Sequence, residues 1–379
     1  MTLAIGLVVL ASAALAWANG ANDVAKGVAT LVGSGVTDYR RAILWGSLWT
    51  GAGAILGAVF AGAMLATFGS GLLTGGVSQT LPAALAAIAG AAGWVVLATR
   101  AGLPVSTTHA IVGALIGVAV PAYGAGAIQW AALGGKVALP LLLTPLLSLV
   151  LTGVIVRATR ARAGSSVPAA DCWCAEAEPM FMAAASAGSG AAAVMHASGV
   201  RLAVSSGRAG ACAVERPRAV QVTLSRLHWL TSGATSLARG MNDAPKVVAL
   251  ALAASAMGAT AAMPAPVLYT VVAVAMVAGS LVGGRRVTRV LAEDVTPMDD
   301  REGFAANLVT AALVTTGAVY GLPMSTTHVS SGGIFGVGAQ RGTLDHRSLR
   351  SIVLAWVVTL PAAALLGAGF YALAAGLGG

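Results

Sequence analysis

A chain of 379 residues that is 57% hydrophobic and only 9% charged, with a mean hydropathy of +0.85, is not composed like a soluble globule, where about a quarter of residues carry charge. A net charge of +9 would suggest nucleic acid in a soluble protein. Here the charges sit in breaks between apolar runs, so no nucleic-acid partner is expected and the chain reads as an all-α polytopic membrane protein.

Apolar runs long enough to cross a hydrocarbon core lie at 2–36, 43–67, 81–99, 104–120 and 129–156. A second set follows at 222–258, 264–284, 303–319, 323–339 and 349–375. The opening run carries Ala14-Leu15-Ala16, which mimics a cleavage site, but lacks the basic region that precedes one, and is read as a retained membrane helix. The first run of each half is too long for one straight span and holds a polar motif inside it. A discontinuous helix is therefore expected in each, giving about 10 crossings and 12 helical pieces. The only long polar stretch divides the chain into a first membrane repeat (1–156), a central loop (157–221) and a second repeat (222–379). The loop reads as a linker with some local structure. Its Cys172, Cys174 and Cys212 are odd in number and imply no disulfide framework, and Cys-x-Cys alone is thin support for a soft-metal site, so no metal is expected.

Of 22 Lys and Arg, eighteen cluster in or beside the connections around Arg40, Arg100, 157–226, 285–301 and 341–350; none falls near 68–80, 121–128 or 259–263. By the positive-inside rule the first group is cytoplasmic and the second external. This places the central loop in the cytoplasm and both termini outside a multi-pass inner (cell) membrane. It also makes 43–67 and 264–284 run in opposite directions, so the halves are two inverted-topology repeats. Such repeats place substrate near the bilayer midplane.

One constellation occurs twice. Asn19-Gly20-Ala21-Asn22-Asp23-Val24-Ala25-Lys26 precedes Gly102-Leu103-Pro104-Val105-Ser106-Thr107-Thr108-His109, and Arg239-Gly240-Met241-Asn242-Asp243-Ala244-Pro245-Lys246 precedes Gly321-Leu322-Pro323-Met324-Ser325-Thr326-Thr327-His328. The Asp-to-His interval is 86 residues in the first copy and 85 in the second.

Asp23 and Asp243 are the only acidic residues inside apolar runs, a costly placement that points to function. With Asn22 and Asn242 they suit a hard cation, or a proton as the coupling ion. Lys26 and Lys246, three residues on, either neutralise the carboxylates as internal ion pairs, face the substrate, or occupy a coupling cation's place. Each Pro-x-Ser-Thr-Thr-His reads as a helix start. Its first-turn N–H groups and the hydroxyls of Ser106, Thr107, Thr108, Ser325, Thr326 and Thr327 suit a tetrahedral oxyanion. His109 and His328 are supporting hydrogen-bonding or proton-responsive groups. Arg239, standing where the first copy has Asn19, adds a cation beside the site or pairs locally.

At these motifs the chain resembles the inorganic phosphate transporter (PiT) family, over both membrane halves and apart mainly from 157–221. The resemblance implies a symporter, often a homodimer, that moves inorganic phosphate across a lipid bilayer by alternating access with Na⁺ or H⁺ and no other cofactor. By that analogy the six Ser and Thr bind phosphate, while Asn22, Asp23, Asn242 and Asp243 hold the coupling cation and border the substrate. The sequence departs from the family pattern in having Lys after each Asn-Asp, and weak dependence on Na⁺ is the expected consequence. A sulfate or other oxyanion permease is the alternative within this class. An intramembrane hydrolase built on Ser106, His109 and Asp23 has no Gly-x-Ser-x-Gly elbow and no need of a duplicated copy, and an anion channel would pass uncoupled current.

Overall fold

The computed structural model describes residues 3–60, 62–69, 71–75, 77, 79–163, 171–184, 194–208, 214, 219–258 and 263–377. It divides into two compact units, Met1–Arg157 with His228–Gly379, and Ala158–Leu227. Both motif copies therefore lie in one unit.

The first half contributes α1 (Leu3–Asp23), α2 (Ala25–Gly33), α3 (Tyr39–Phe60), α4 (Gly62–Gly69), α5 (Leu81–Arg100), α6 (Thr107–Tyr123), α7 (Trp130–Ala132) and α8 (Leu139–Ala163). The second contributes α9 (Leu224–Gly258), α10 (Ala265–Gly283), α11 (Arg285–Arg289), α12 (Asp300–Val319), α13 (Thr326–Arg341) and α14 (His346–Leu377). Seven described helical stretches are long and apolar enough to cross a membrane: 3–33, 39–60, 81–100, 130–160, 265–283, 300–319 and 346–376. The other three expected segments are also helical. Two of them, α6 and α13, are the short second arms of helical hairpins, and α9 carries Arg239, Asp243 and Lys246, which dilute its hydropathy.

The expected discontinuities take a milder form than sequence suggested. In the first half the interruption is Val24 alone, which keeps helical angles (φ −56°, ψ −32°) and accepts a tightened bond from Gly27 N. In the second, α9 runs unbroken through the motif for 35 residues with Pro245 inside it. Pro245 lacks the N–H that would bond Met241 O, yet a helix can absorb one such loss. Neither motif needs to unwind, because its polar side chains find partners on neighbouring helices.

Glycine sets how closely those helices approach, and the pattern is reciprocal between halves. In α1 a Cβ on Gly20 would lie 2.0 Å from Met276 O of α10, and one on Gly279 of α10 would lie 1.9 Å from Trp17 O. Likewise a Cβ on Gly240 of α9 would lie 2.3 Å from Thr50 O of α3, and one on Gly53 of α3 would lie 2.0 Å from Leu237 O. Each motif helix thus packs, backbone against backbone, on the second helix of the other half. The Gly-xxx-Gly pairs repeat the exchange: Gly113 and Gly117 of α6 meet α14, and Gly332 and Gly336 of α13 meet α8. Small-residue seams of this kind suit helices whose surroundings offer no hydrophobic gain from association.

The central unit carries a sheet. Strands β1 (Cys172–Ala184), β2 (Val194–Gly207) and β3 (Val220–Thr223) form an antiparallel sheet in the order β2-β1-β3, with a register shift at Met180/Phe181. The membrane part is helical, as the composition implies; the loop expected to be a linker holds this small sheet as well. Cys172 is a buried free thiol and Cys174 is disulfide-bonded, a correction to the expectation of no disulfide. Cys212 lies outside the described residues. Among the described residues no group of three metal-ligating side chains occurs.

Candidate substrate and ion site

The Gly-Leu-Pro-x-Ser-Thr-Thr-His string encodes a stop, a turn and a start. Helix α5 ends at Gly102 (φ +75°), where Leu103 N reaches back to Ala98 O at 2.9 Å, and α12 ends at Gly321 (φ +67°), where Leu322 N reaches Gly317 O at 2.8 Å. Only glycine adopts this left-handed terminus without strain. The next helix starts as sequence indicated: Ser106 Oγ caps His109 N at 3.3 Å and Ser325 Oγ caps His328 N at 3.2 Å. The two hairpin loops then meet. Thr327 Oγ1 donates to Val105 O at 2.7 Å, and Thr108 Oγ1 donates to Met324 O at 3.4 Å. These two bonds join equivalent positions of the two copies.

The Asn-Asp motifs lie against this meeting point. Asn22 Nδ2 donates to Thr99 Oγ1 (2.9 Å) and Leu103 O (3.0 Å), and its Oδ1 accepts from Val105 N (3.2 Å), so it holds the first loop. Asn242 Nδ2 donates to Met324 O (2.9 Å) and Asp243 Oδ1 (2.8 Å), and holds the second. The two carboxylates converge on one amide. Asn19 Nδ2 lies 2.8 Å from Asp23 Oδ2 and 3.1 Å from Asp243 Oδ2, with Thr107 Oγ1 at 3.0 Å. Thr107 Oγ1 in turn donates to Asp23 Oδ2 at 3.1 Å.

Three cations surround the two carboxylates. Lys26 Nζ is 2.7 Å from Asp23 Oδ1, Lys246 Nζ is 3.0 Å from Asp243 Oδ1, and Arg239 donates to Asn19 Oδ1 (3.4 Å) and Thr50 Oγ1 (2.6 Å). All five residues are buried, none more than 4% exposed. Each lysine Nζ faces three oxygens, the full donor capacity of an ammonium and more than a neutral amine offers. Both carboxylates accept at both oxygens. Such saturation is what makes buried charge tolerable, since pairing alone rarely offsets desolvation. Fully ionised, the cluster carries one net positive charge.

The two copies are not equally satisfied. Among the described residues three buried polar atoms of the second copy have no hydrogen-bond partner: Arg239 Nε, Asn242 Oδ1 and Thr326 Oγ1. In the first copy the corresponding Asn22 Oδ1 and Thr107 Oγ1 are fully engaged, and only His109 Nδ1 lacks a partner. Two donors and an acceptor buried without a protein partner cost about 1–3 kcal/mol each.

Residues 19–367 match the phosphate transporter family model. The chain belongs to the phosphate transporter family. It is 30% identical to the chloroplastic inorganic phosphate transporter 2-1 of Arabidopsis thaliana, over 93% of this chain and 69% of that one. It is 28% identical to a putative phosphate permease of Pyrococcus abyssi (97% and 96% covered) and to a probable low-affinity inorganic phosphate transporter of Mycobacterium bovis (98% and 78%). A solved structure described as the sodium-dependent phosphate transporter superposes with a TM-score of 0.76 over 98% of this chain and 99% of that one, at 20% identity, which speaks to the shared fold.

In this transporter the sequence-derived residues separate into distinct places. Asn22, Asp23, Lys26, Thr107, Thr108, Asn242, Asp243 and Lys246 share the polar cluster, with Arg239 reaching it through Asn19. Ser106 and Ser325 serve as helix caps, and Thr327 ties the loops. His109 and His328 sit behind the caps, ring centroids 4.7 Å apart, with the His328 ring tilted 42° against Trp356 at a centroid distance of 4.0 Å; both line a largely apolar cleft. Three participants escaped the sequence reading as site residues: Asn19, Thr50 and Thr99. Asn19 carried one signal, its alignment with Arg239. Thr99 also lines a cleft of about 760 Å³ edged by Arg100, Arg285, Arg286 and Arg289, so the Asn22–Thr99 bond lies between that basic cleft and the buried cluster.

Proposed function

We propose that this member of the phosphate transporter family is a secondary symporter that moves inorganic phosphate by alternating access, with Na⁺ or H⁺ as the coupling ion. The buried cluster carries the reading: it draws on both motif copies, has one net positive charge when fully ionised, and keeps unpartnered donors and an acceptor in its second copy. An oxyanion supplies what those atoms lack. Its oxygens are the acceptors that Thr326 Oγ1 and Arg239 Nε lack, and the proton of a protonated phosphate oxygen is the donor that Asn242 Oδ1 lacks. Sulfate at neutral pH has no such proton, which favours phosphate over the sulfate alternative.

In this reading Thr326, Asn242 and Arg239 of the second copy hold the substrate, the other motif Ser and Thr with Asn22 frame that place as helix caps and loop ties, and Asp23 and Asp243 manage charge. The basic cleft beside Thr99 would gather anions at the cytoplasmic face, consistent with the positive-inside orientation. The reciprocal glycine seams support inverted repeats that rock against each other. Exposed Leu142, Leu146, Val150 and Val154 of α8 suit lipid, or the face of a homodimer. The test is uptake of labelled phosphate into proteoliposomes with Na⁺ and pH gradients imposed separately, and sulfate as competitor. Saturable uptake that sulfate fails to inhibit is expected; equal inhibition by sulfate, or large uncoupled current, would overturn the reading.

A further inference from the structure

The environment of the two buried lysines goes further. Lys26 Nζ sits among Asn22 O (2.8 Å), Asn22 Oδ1 (2.6 Å) and Asp23 Oδ1 (2.7 Å). Lys246 Nζ sits among Thr108 Oγ1 (2.7 Å), Asp243 Oδ1 (3.0 Å) and Met324 O (3.0 Å). Each set combines a carboxylate, a peptide carbonyl and an amide or hydroxyl oxygen, the ligand chemistry that hard cations take. A free ion at either place would meet an ammonium within contact distance. The first cage is built wholly from the first motif; the second draws on α9, the α6 start and the second hairpin loop, and so combines both halves.

We propose that these are two latent monovalent-cation sites already filled by tethered ammonium groups, so that the chain moves phosphate without Na⁺ and becomes Na⁺-responsive when a lysine is shortened. The inference rests on the phosphate-transport reading above. Lys26→Ala vacates the space of the side chain beyond Cβ while leaving the three oxygens, which makes room for an ion with water. Lys26→Met removes the charge but keeps the volume, so it cannot accommodate one.

The experiment compares wild type, Lys26→Ala, Lys246→Ala and Lys26→Met, with NaCl or choline chloride at equal ionic strength. Two readouts are taken: thermal melting of the purified proteins and phosphate uptake by proteoliposomes. In the wild type, uptake should differ less than about twofold between the salts, whereas either alanine variant should show a saturable Na⁺-specific rise in melting temperature and about tenfold more uptake with Na⁺. Lys26→Met should show neither effect. Wild-type uptake that collapses in choline, or alanine variants whose melting ignores Na⁺, would overturn the inference. A wild type that transports no phosphate in either salt defeats the transport reading instead, and the melting comparison still judges the cages. Should neither alanine variant fold, the wild-type salt comparison decides alone.

Discussion

The two copies of the motif share a backbone plan and differ in how their polar groups are satisfied. Both hairpin loops begin on a left-handed glycine, end on a serine cap and press against an Asn-Asp-bearing helix. In the first copy Asn19, Asp23, Thr107, Asn22 and Lys26 bond one another to completion. In the second, Arg239 replaces the small amide, no donor reaches Asn242 Oδ1, and Thr326 is left without the carboxylate that its counterpart Thr107 holds. A duplicated scaffold can therefore divide labour: one copy is a finished internal network, and the other keeps bonding capacity for a guest.

The sharpest way to break this comparison is to remove a carboxylate from each copy. Asp23→Asn and Asp243→Asn each strand a buried ammonium, a loss of about 3–5 kcal/mol, enough to lower uptake by 100-fold or more in either copy. Melting and uptake of both variants check this, and an Asp variant that transports normally would show that its ion pair is dispensable. Asn19→Ala comes next. It removes the one amide shared by the two carboxylates, so it should cost about 1–3 kcal/mol in unfolding and weaken uptake.

Where the copies are alike, their variants should be alike. Gly20→Ala and Gly240→Ala drive a Cβ into a facing carbonyl, Met276 O in one case and Thr50 O in the other. Each should destabilise by about 1–3 kcal/mol, to a similar extent, measured by thermal melting in detergent. A large difference between them would mean that the packing is as asymmetric as the hydrogen bonding.

Much of this was legible in the sequence because it is locally encoded. Long apolar runs gave the helices, and Pro-x-Ser-Thr-Thr-His gave two helix starts whose caps depend only on residues three apart. The roles of the hydroxyls were not legible, since Ser106 and Ser325 turned inward as caps while Thr107 and Thr108 took partners from distant helices. Asn19 could not be singled out, because its two carboxylates lie 4 and 224 residues away and only tertiary packing joins them. The length of the run and the polar motif inside it imply a break in α9, but the helix stays continuous because those polar side chains find partners on neighbouring segments. The sheet at Cys172–Thr223 was missed because its alternation is short: Cys172 and Cys174 are buried on either side of an exposed Trp173, within an Ala-rich stretch.

The smallest of the expected effects is also the most direct test of the division between copies. Thr107→Val and Thr326→Val make the same isosteric change at matched positions, with melting and phosphate KM measured for both. Thr107→Val should lower stability by about 1–3 kcal/mol, because Asp23 loses a donor, and leave KM nearly unchanged. Thr326→Val removes a hydroxyl that bonds nothing in the protein, so stability should hold or rise while KM for phosphate increases by about tenfold, or 1.4 kcal/mol of binding. If Thr326→Val instead destabilises like Thr107→Val and leaves KM untouched, the second copy does not hold the substrate.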